Sequence, residues 1–330
     1  MLIGLYEIDM SANTNFVKTK FIDNKVVLFL KSAIPYIGLI VVVLFFQIVT
    51  KGRLLTAGNL GTIFNQTFTT LLGASGIAYV IAQGNLDLSL GSIAGFSAVT
   101  SVVIGTQFGV AMSVVIAIIT GGLIGLMTGS IHVVFRAPAT ILTICMQFLF
   151  RGLVNVTTLE GKFVPLSWSW IDSRPVKIAI MFIVVILSIL FFEFTKLGKY
   201  SKAIGSGELA SLQVGIPVGK YKIIGFIISG AVAGFCGFFM ALRAGSVAPT
   251  TGVAFEMDVL LAIVLGGMPL SGGATAKIRA AFLGSITLAF LMNGLIVWGI
   301  SDTVQQGIKG AILLISATAS YERSNMEVIK

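Results

Sequence analysis

The chain has 330 residues, of which 56% are hydrophobic and 11% are charged, with a formal net charge of +9. A mean hydropathy of +1.01 excludes a water-soluble globular domain, which carries a much larger share of charged residues. The basic residues cluster in loops rather than on one face, so the charge indicates membrane topology and not nucleic-acid binding. A helix needs about 20 apolar residues to cross a bilayer.

Apolar runs along the chain predict an all-α polytopic membrane protein with about ten transmembrane helices. We expect residues 1–25 to form a cytoplasmic tail rather than a cleaved signal peptide, 26–320 to form the transmembrane domain, and 321–330 to form a second tail. Gly, Ser and Pro shorten or interrupt the third, eighth and tenth spans. The predicted spans are 26–50, 63–83, 88–106, 109–131, 138–156, 176–195, 221–242, 256–271, 278–299 and 304–320.

The distribution of positive charge predicts the orientation of the spans. With both termini inside, 14 Lys and Arg residues fall in cytoplasmic segments and 6 fall outside. Cytoplasmic loops carry this excess in membrane proteins, so both termini are expected in the cytoplasm. Trp168 and Trp170, in the long outer loop, suit an aromatic belt at the membrane interface.

No catalytic or metal-binding motif emerges from the sequence. None of the Gly-Lys pairs belongs to a phosphate-binding loop, so the chain is not expected to hydrolyse ATP. One histidine, His132, and two distant cysteines, Cys145 and Cys236, cannot make a metal site. The tetrapeptide Gly-Phe-Ser-Ala at 95–98 resembles the nucleophile motif of intramembrane serine proteases. However, His132 is predicted to lie in a short inner loop, where it cannot act as the base.

Polar residues recur every four positions along the fifth predicted span, at Thr143, Gln147, Arg151 and Asn155. This spacing places all four on one helical face. Such a stripe is costly in lipid unless it faces a cavity or another helix. Two interpretations remain open: hydrogen bonding between helices, with Arg151 reaching toward the interface, or the lining of a translocation path.

Asp87 lies at a break between two apolar runs, in the sequence Gly-Asn-Leu-Asp-Leu-Ser-Leu-Gly at 84–91. It either caps the following helix or belongs to a broken helix beside a transport path. A similar break, Gly-Gly-Met-Pro-Leu-Ser-Gly-Gly, occurs at 266–273. Both segments match G-x-x-x-L-S-x-G, which hints at an internal repeat.

The basic loop 196–220, between the sixth and seventh predicted spans, has room for a short helix of its own. Ser206 is predicted to cap this helix, and Gly215 and Pro217 are predicted to end it. An ordered helix in such a loop is interpreted as a docking element for a cytoplasmic partner. The predicted coupling residues are Ser206, Glu208, Leu209, Leu212 and Gly215.

Three segments together resemble the permease subunit of ribose-type sugar ABC importers. The family pattern G-G-I-D-L-S-x-G is matched at 84–91, with Asn85 in place of the second glycine. The cytoplasmic pattern G-x-N-E-x-A-A-x-x-x-G-I is approximated at 205–216, with Gly207 in place of asparagine and Leu209 in place of alanine. The third segment lies within 245–273. It contains Gly-Ser-Val-Ala-Pro-Thr-Thr-Gly at 245–252, then Glu-Met-Asp at 256–258, and then the break at 266–273. The likeness extends over about residues 30–320.

The resemblance implies a non-catalytic subunit in a bacterial inner membrane, which pairs with a second permease subunit, identical or different. It also implies an ATP-binding cassette ATPase that binds ATP and magnesium, so that this chain needs no cofactor. A further implied partner is an extracytoplasmic sugar-binding protein, which supplies most of the selectivity. The solute would be a simple sugar such as ribose, or alternatively a nucleoside or a sugar-like signalling molecule. A secondary transporter is less favoured, because the acidic residues in or beside the predicted spans, among them Asp87 and Glu193, lie near span ends.

Overall fold

Twelve α-helices account for most of the residues that this computed structural model describes, 33–158 and 161–320. The predicted tails, 1–25 and 321–330, lie outside the described residues. The helices are α1 (Ala33–Val49), α2 (Ala57–Ala82), α3 (Leu90–Gly105), α4 (Val110–Phe135), α5 (Ala139–Thr157), α6 (Arg174–Ile189), α7 (Lys196–Ser206), α8 (Glu208–Gln213), α9 (Val218–Ala244), α10 (Phe255–Leu265), α11 (Arg279–Trp298) and α12 (Asp302–Ser320).

Short elements complete the fold. A 3₁₀ helix, Leu166–Asp172, precedes α6, and a π-helical turn, Leu190–Phe194, continues it. Two-residue strands β1 (Lys162–Phe163) and β2 (Ser246–Val247) pair antiparallel. Within the described ranges, five helices are long and apolar enough to cross a membrane: α4, α5, α6 with its π turn, α9 and α11. An all-α polytopic membrane protein is therefore confirmed, and the number of ten spans stays a prediction.

Each predicted span overlaps one helix, and the helix of the eighth span is shorter than predicted. The prediction placed this span at 256–271, but α10 ends at Leu265, because Gly267 has a φ of +87° and Pro269 cannot continue a helix. With 11 residues, α10 is about 17 Å long, roughly half the thickness of a bilayer core. The irregular segments before and after α10 therefore lie at membrane depth and must be enclosed by protein.

The helices divide into an inner group and an outer group. Only 17% of the most apolar stretch of α6 is buried within the protein, against 56% for α9 and 67% for α11. Large apolar side chains such as Phe148 on α5 and Phe182 on α6 are largely exposed. This pattern is typical of helices that face lipid, so α4, α5 and α6 form the lipid-facing side, and α2, α3, α9, α10 and α11 form the interior.

Helices α4 and α9 touch through their backbones. A Cβ atom added to Gly121 would meet the carbonyl group of Gly230, and a Cβ added to Gly230 would meet the carbonyl oxygen of Gly121. Gly125 has the same relation to the carbonyl of Phe226. Small residues allow this close approach in membrane proteins, where van der Waals packing stabilises helix association. These contacts join the lipid-facing helix α4 to the interior helix α9.

Two sequence interpretations need correction. Trp168 is buried and packs near Phe238 with ring centroids 6.5 Å apart, so only Trp170, which is 60% exposed, is placed for an interfacial belt. His132 lies in the last turn of α4 rather than in a loop, because this helix continues to Phe135. Its Nδ1 lies 2.7 Å from the carbonyl oxygen of Ala137, which fixes the ring against the turn that follows.

Candidate coupling and translocation sites

The loop 196–220 forms two helices, α7 and α8, instead of the single helix predicted. Thr195 caps α7, because its hydroxyl accepts a hydrogen bond from the amide of Leu197 at 3.2 Å. Ser206 is the last residue of α7, and its hydroxyl donates to the carbonyl of Lys202 at 2.9 Å. The prediction that Ser206 caps the second helix is therefore wrong: Gly207 occupies that position and offers no side chain.

Helix α8 presents an apolar surface to solvent. Leu209 is 77% exposed and Leu212 51% exposed, and Val214, just beyond the helix, is also exposed. Glu208, in the first turn, forms an ion pair with Lys222 of α9 at 2.8 Å, which fixes α8 to the neighbouring span. Gly215 follows with a φ of +82°, a conformation that favours glycine. Large exposed apolar side chains outside the lipid-facing helices indicate a contact surface.

The two sequence breaks meet at the end of α7. The amide of Gly273 donates to the carbonyl of Ala82 at 3.0 Å, and the amide of Ala274 donates to the Ser206 hydroxyl at 2.8 Å. A Cβ at Gly205 would collide with the Ala82 carbonyl and the Gly273 amide. The end of α7 therefore contacts both the end of α2 and the segment that follows α10, without space for a side chain at Gly205.

Two polar residues outside the predicted coupling and path sets, Gln83 and Glu193, also connect α7 to its neighbours. Gln83 donates from Nε2 to the Ser201 hydroxyl at 3.1 Å and to the carbonyl of Tyr221 at 2.8 Å. Glu193 forms an ion pair with Lys202 and accepts a hydrogen bond from the amide of Ile278 at 3.3 Å. The signal for Glu193 was its position as one of few acidic residues in the predicted spans.

Asp87 is buried in the non-helical segment between α2 and α3. Its side chain is 1% exposed and accepts hydrogen bonds from the Ser89 amide at 3.0 Å and from the Ser89 hydroxyl at 2.5 Å. The Ser229 hydroxyl of α9 donates to its other oxygen at 3.0 Å. Asp87 thus both orders the beginning of α3 and ties the break to α9.

The polar stripe of α5 faces the segment that leads into α10. Gln147 donates from Nε2 to Glu256 Oε1 at 2.8 Å, and Arg151 donates from Nη1 to the Thr251 carbonyl at 2.7 Å. Thr143 is buried and donates to the carbonyl of Thr140, whereas Asn155 is exposed. The hydrogen bonds between segments that one interpretation expected are therefore present. The lining of a path by Asp87, Gln147, Arg151 and Asn155 stays a prediction.

Helix α10 carries two carboxylates that point to different sides. Glu256, 4% exposed, faces α5, and Asp258 forms an ion pair with Lys309 of α12 at 2.5 Å. Two residues apart on an α-helix correspond to a rotation of about 200°, which explains the opposite directions. Each side of this short helix is therefore held by a polar contact to a different part of the protein.

No cluster of three or more His, Cys, Asp or Glu side chains that could hold a metal occurs within residues 33–158 and 161–320. Both cysteines there are free, Cys145 at the exposed surface of α5 and Cys236 buried in α9. These two side chains lie in different environments and do not form a pair.

Comparison with known proteins gives a family match and several relatives. Residues 59–317 match the family described as the permease component of the branched-chain amino acid transport system. The ribose import permease of Escherichia coli strain K12 is 32% identical over 283 residues, which cover 81% of this chain and 87% of that protein. The L-arabinose ABC transporter permease of Azospirillum brasilense is 31% identical over 78% of each chain.

The autoinducer 2 import system permease of Enterobacter sp. strain 638 is 30% identical over 78% of this chain and 77% of its own length. No solved structure matches the chain significantly. The residues matched by the family include α2 to α11 and most of α12, so the likeness covers every contact described above.

Proposed function

The chain belongs to the family of transport-system permease components, and on that premise we propose that it is the membrane subunit of a binding-protein-dependent ABC importer for a simple sugar. As a permease component it is a non-catalytic, multi-pass protein of a bacterial inner membrane. The observation that carries the proposal is the similarity to the ribose import permease, which extends over 81% of the chain.

A simple sugar is the favoured solute because relatives named for ribose and for L-arabinose are both similar over most of the chain. The family description mentions branched-chain amino acids, so membership of the family leaves the solute open. The second candidate is a signalling molecule, favoured by the similarity to autoinducer 2 import permeases. Uptake of labelled ribose, L-arabinose and autoinducer 2 in competition distinguishes the candidates.

In this proposal α8 is the element that contacts a separate ATPase, which binds ATP and magnesium. This role of α8 is supported by two exposed apolar side chains, Leu209 and Leu212, at the surface predicted to face the cytoplasm. Basic residues in the same loop would attract an acidic ATPase surface and speed its association. The Glu208–Lys222 ion pair holds α8 against α9, and α7 contacts both breaks through Gly205 and Ser206.

The proposal places the path beside the polar residues Asp87, Gln147, Arg151 and Asn155. Gln147 and Arg151 fasten α5 to Glu256 and to the carbonyl of Thr251. An opening between α5 and the chain from Thr251 to Glu256 therefore breaks both hydrogen bonds, one donated by the Arg151 guanidinium and one accepted by the Glu256 carboxylate. Hydrogen bonds to charged groups contribute about 1.5–3 kcal/mol each to stability. In this proposal they hold the path closed until ATP-driven movement breaks them. A second permease subunit, identical or different, supplies the facing wall.

Reconstitution tests the proposal directly. The purified chain in liposomes should hydrolyse no ATP and should transport ribose only with its ATPase and an extracytoplasmic sugar-binding protein. Transport without the ATPase, driven by an ion gradient, would contradict the proposal and support a secondary transporter. ATP hydrolysis by the chain alone would contradict it as well.

A further inference from the structure

A cavity of about 500 Å³ lies on the side of α10 that faces away from α5. Its walls come from α2, α9, α10, α11 and α12. A second cavity of about 340 Å³ shares Met240, Ala244, Phe255 and Asp258 with it and extends to the segment 248–253. These volumes fall in the range of small-molecule pockets, ~300–1,000 Å³.

The cavity has polar groups on several sides and an aromatic ring among them. Gln66 and Thr70 belong to α2, Arg243 to α9, and the ion pair of Asp258 with Lys309 joins α10 to α12. Phe255, the first residue of α10, contributes the ring. Few convergent polar groups in an otherwise apolar pocket are the usual composition of a small-molecule site.

One polar atom of this wall is buried without a partner. Gln66 Oε1 is inaccessible to solvent and accepts no hydrogen bond from the described residues. Buried polar groups in folded proteins are nearly always hydrogen-bonded, so an unpaired acceptor beside a cavity indicates a missing donor. The Gln66 side chain also lines the cavity, so its amide group can bond a ligand hydroxyl there.

The Asp258–Lys309 ion pair neutralises two of the charges on the wall, and the Arg243 guanidinium adds one positive charge. Asp258 and Lys309 are 2.5 Å apart, and Arg243 remains as a hydrogen-bond donor for a ligand oxygen. Hydroxyl groups both donate and accept, so they match the amide of Gln66, the hydroxyl of Thr70 and the guanidinium of Arg243 together. The apolar face of a sugar ring would pack on Phe255.

We propose that this cavity is a solute-binding site within the permease for a polyhydroxylated molecule of monosaccharide size. The inference rests on the proposed function and goes beyond it, because it assigns part of the selectivity to this chain. The cavity extends to the segment 248–253, on the side that the charge distribution predicts to be extracytoplasmic. The contact of Gly273 with Ala82 lies at the opposite end of α2 from this segment. Solute released from outside would therefore meet this site first.

Two variants of the cavity test the assignment in the assembled complex. Gln66→Leu removes the unpaired acceptor, and Ala244→Phe, at an exposed position shared by both cavities, fills the space. The matched controls are Gln107→Leu and Ala57→Phe, which are exposed and line neither cavity. The probes are labelled ribose and L-arabinose, with saturating binding protein.

Gln66→Leu should lower the uptake rate about five- to tenfold, the loss that corresponds to one neutral hydrogen bond, and Ala244→Phe should lower it at least as much because its ring fills the space. ATP hydrolysis stimulated by the binding protein should stay within about twofold of the parental rate, because the assembly and α8 are untouched. The control variants should transport at the parental rate. A structural defect would instead lower ATP hydrolysis and uptake together.

A direct measurement of occupancy accompanies the uptake assay. In a Cys145→Ser background, an impermeant thiol reagent should modify Thr70→Cys from outside, and saturating probe should slow the modification. Parental uptake by both cavity variants, or modification that the probe does not slow, overturns the assignment and leaves the proposed function intact. A parental complex that transports neither probe overturns the proposed sugar specificity, and this assignment with it.

Discussion

Replacing Leu212 by Asp tests whether α8 binds the ATPase. Complete burial of a leucine side chain stabilises by about 1.5–3 kcal/mol. Leu212 is 51% exposed, so docking can bury about half of it, for about 1 kcal/mol. A carboxylate in the same apolar contact adds a desolvation cost of about 1–3 kcal/mol. The sum of about 2–4 kcal/mol corresponds to an affinity about 30- to 700-fold weaker.

The assay is co-purification of the ATPase with the tagged permease in mild detergent, together with sugar uptake. Leu212→Asp should lose both, while size-exclusion chromatography shows that the permease itself stays folded. Leu212→Met conserves the volume and should retain binding. Leu166→Asp is the matched control, because Leu166 is 86% exposed in the 3₁₀ helix predicted to lie on the outer side. Parental ATPase recovery with Leu212→Asp would refute the reasoning.

Further predictions concern the ion pair, the topology and the helix packing. Glu208→Lys should weaken ATPase recovery more mildly than Leu212→Asp, since exposed ion pairs contribute about 0–1 kcal/mol. The double variant Glu208→Lys with Lys222→Glu should restore ATPase recovery. A double variant that does not restore it would contradict the role of this ion pair in positioning α8. A reporter at the carboxyl terminus should be cytoplasmic and one beside Trp168 external; the reverse would disprove the orientation. Gly230→Ala should lower stability by about 1–3 kcal/mol in thermal unfolding, because its Cβ meets backbone, whereas Gly152→Ala, with open space, should not.

Helix positions could be predicted from the sequence because the length of an apolar run is a local property. Each of the ten predicted spans overlaps a helix, and most boundaries differ by a few residues. The early end of α10 was the main failure: its apolar residues continue past Leu265, but the positive φ at Gly267 and the ring of Pro269 stop the helix. A hydropathy pattern does not report backbone conformation.

The contacts of the candidate sites could be predicted only in part. The spacing of Gln147 and Arg151 shows a common face, but their partners, Glu256 and the Thr251 carbonyl, lie about a hundred residues away in sequence. Only the folded chain brings these together. Similarly, the basic loop indicates a helix, but not that Ser206 is used to hold Ala274 instead of capping α8.

The glycine contact between α4 and α9 has a consequence for movement. Where Gly121 meets Gly230, neither helix has room for a methyl group, so any rotation of one against the other would drive larger neighbouring side chains into backbone. We therefore expect this pair to keep its geometry during transport. We expect movement instead at the short helix α10, whose ends are irregular and whose two sides are held by polar contacts that can break and form again.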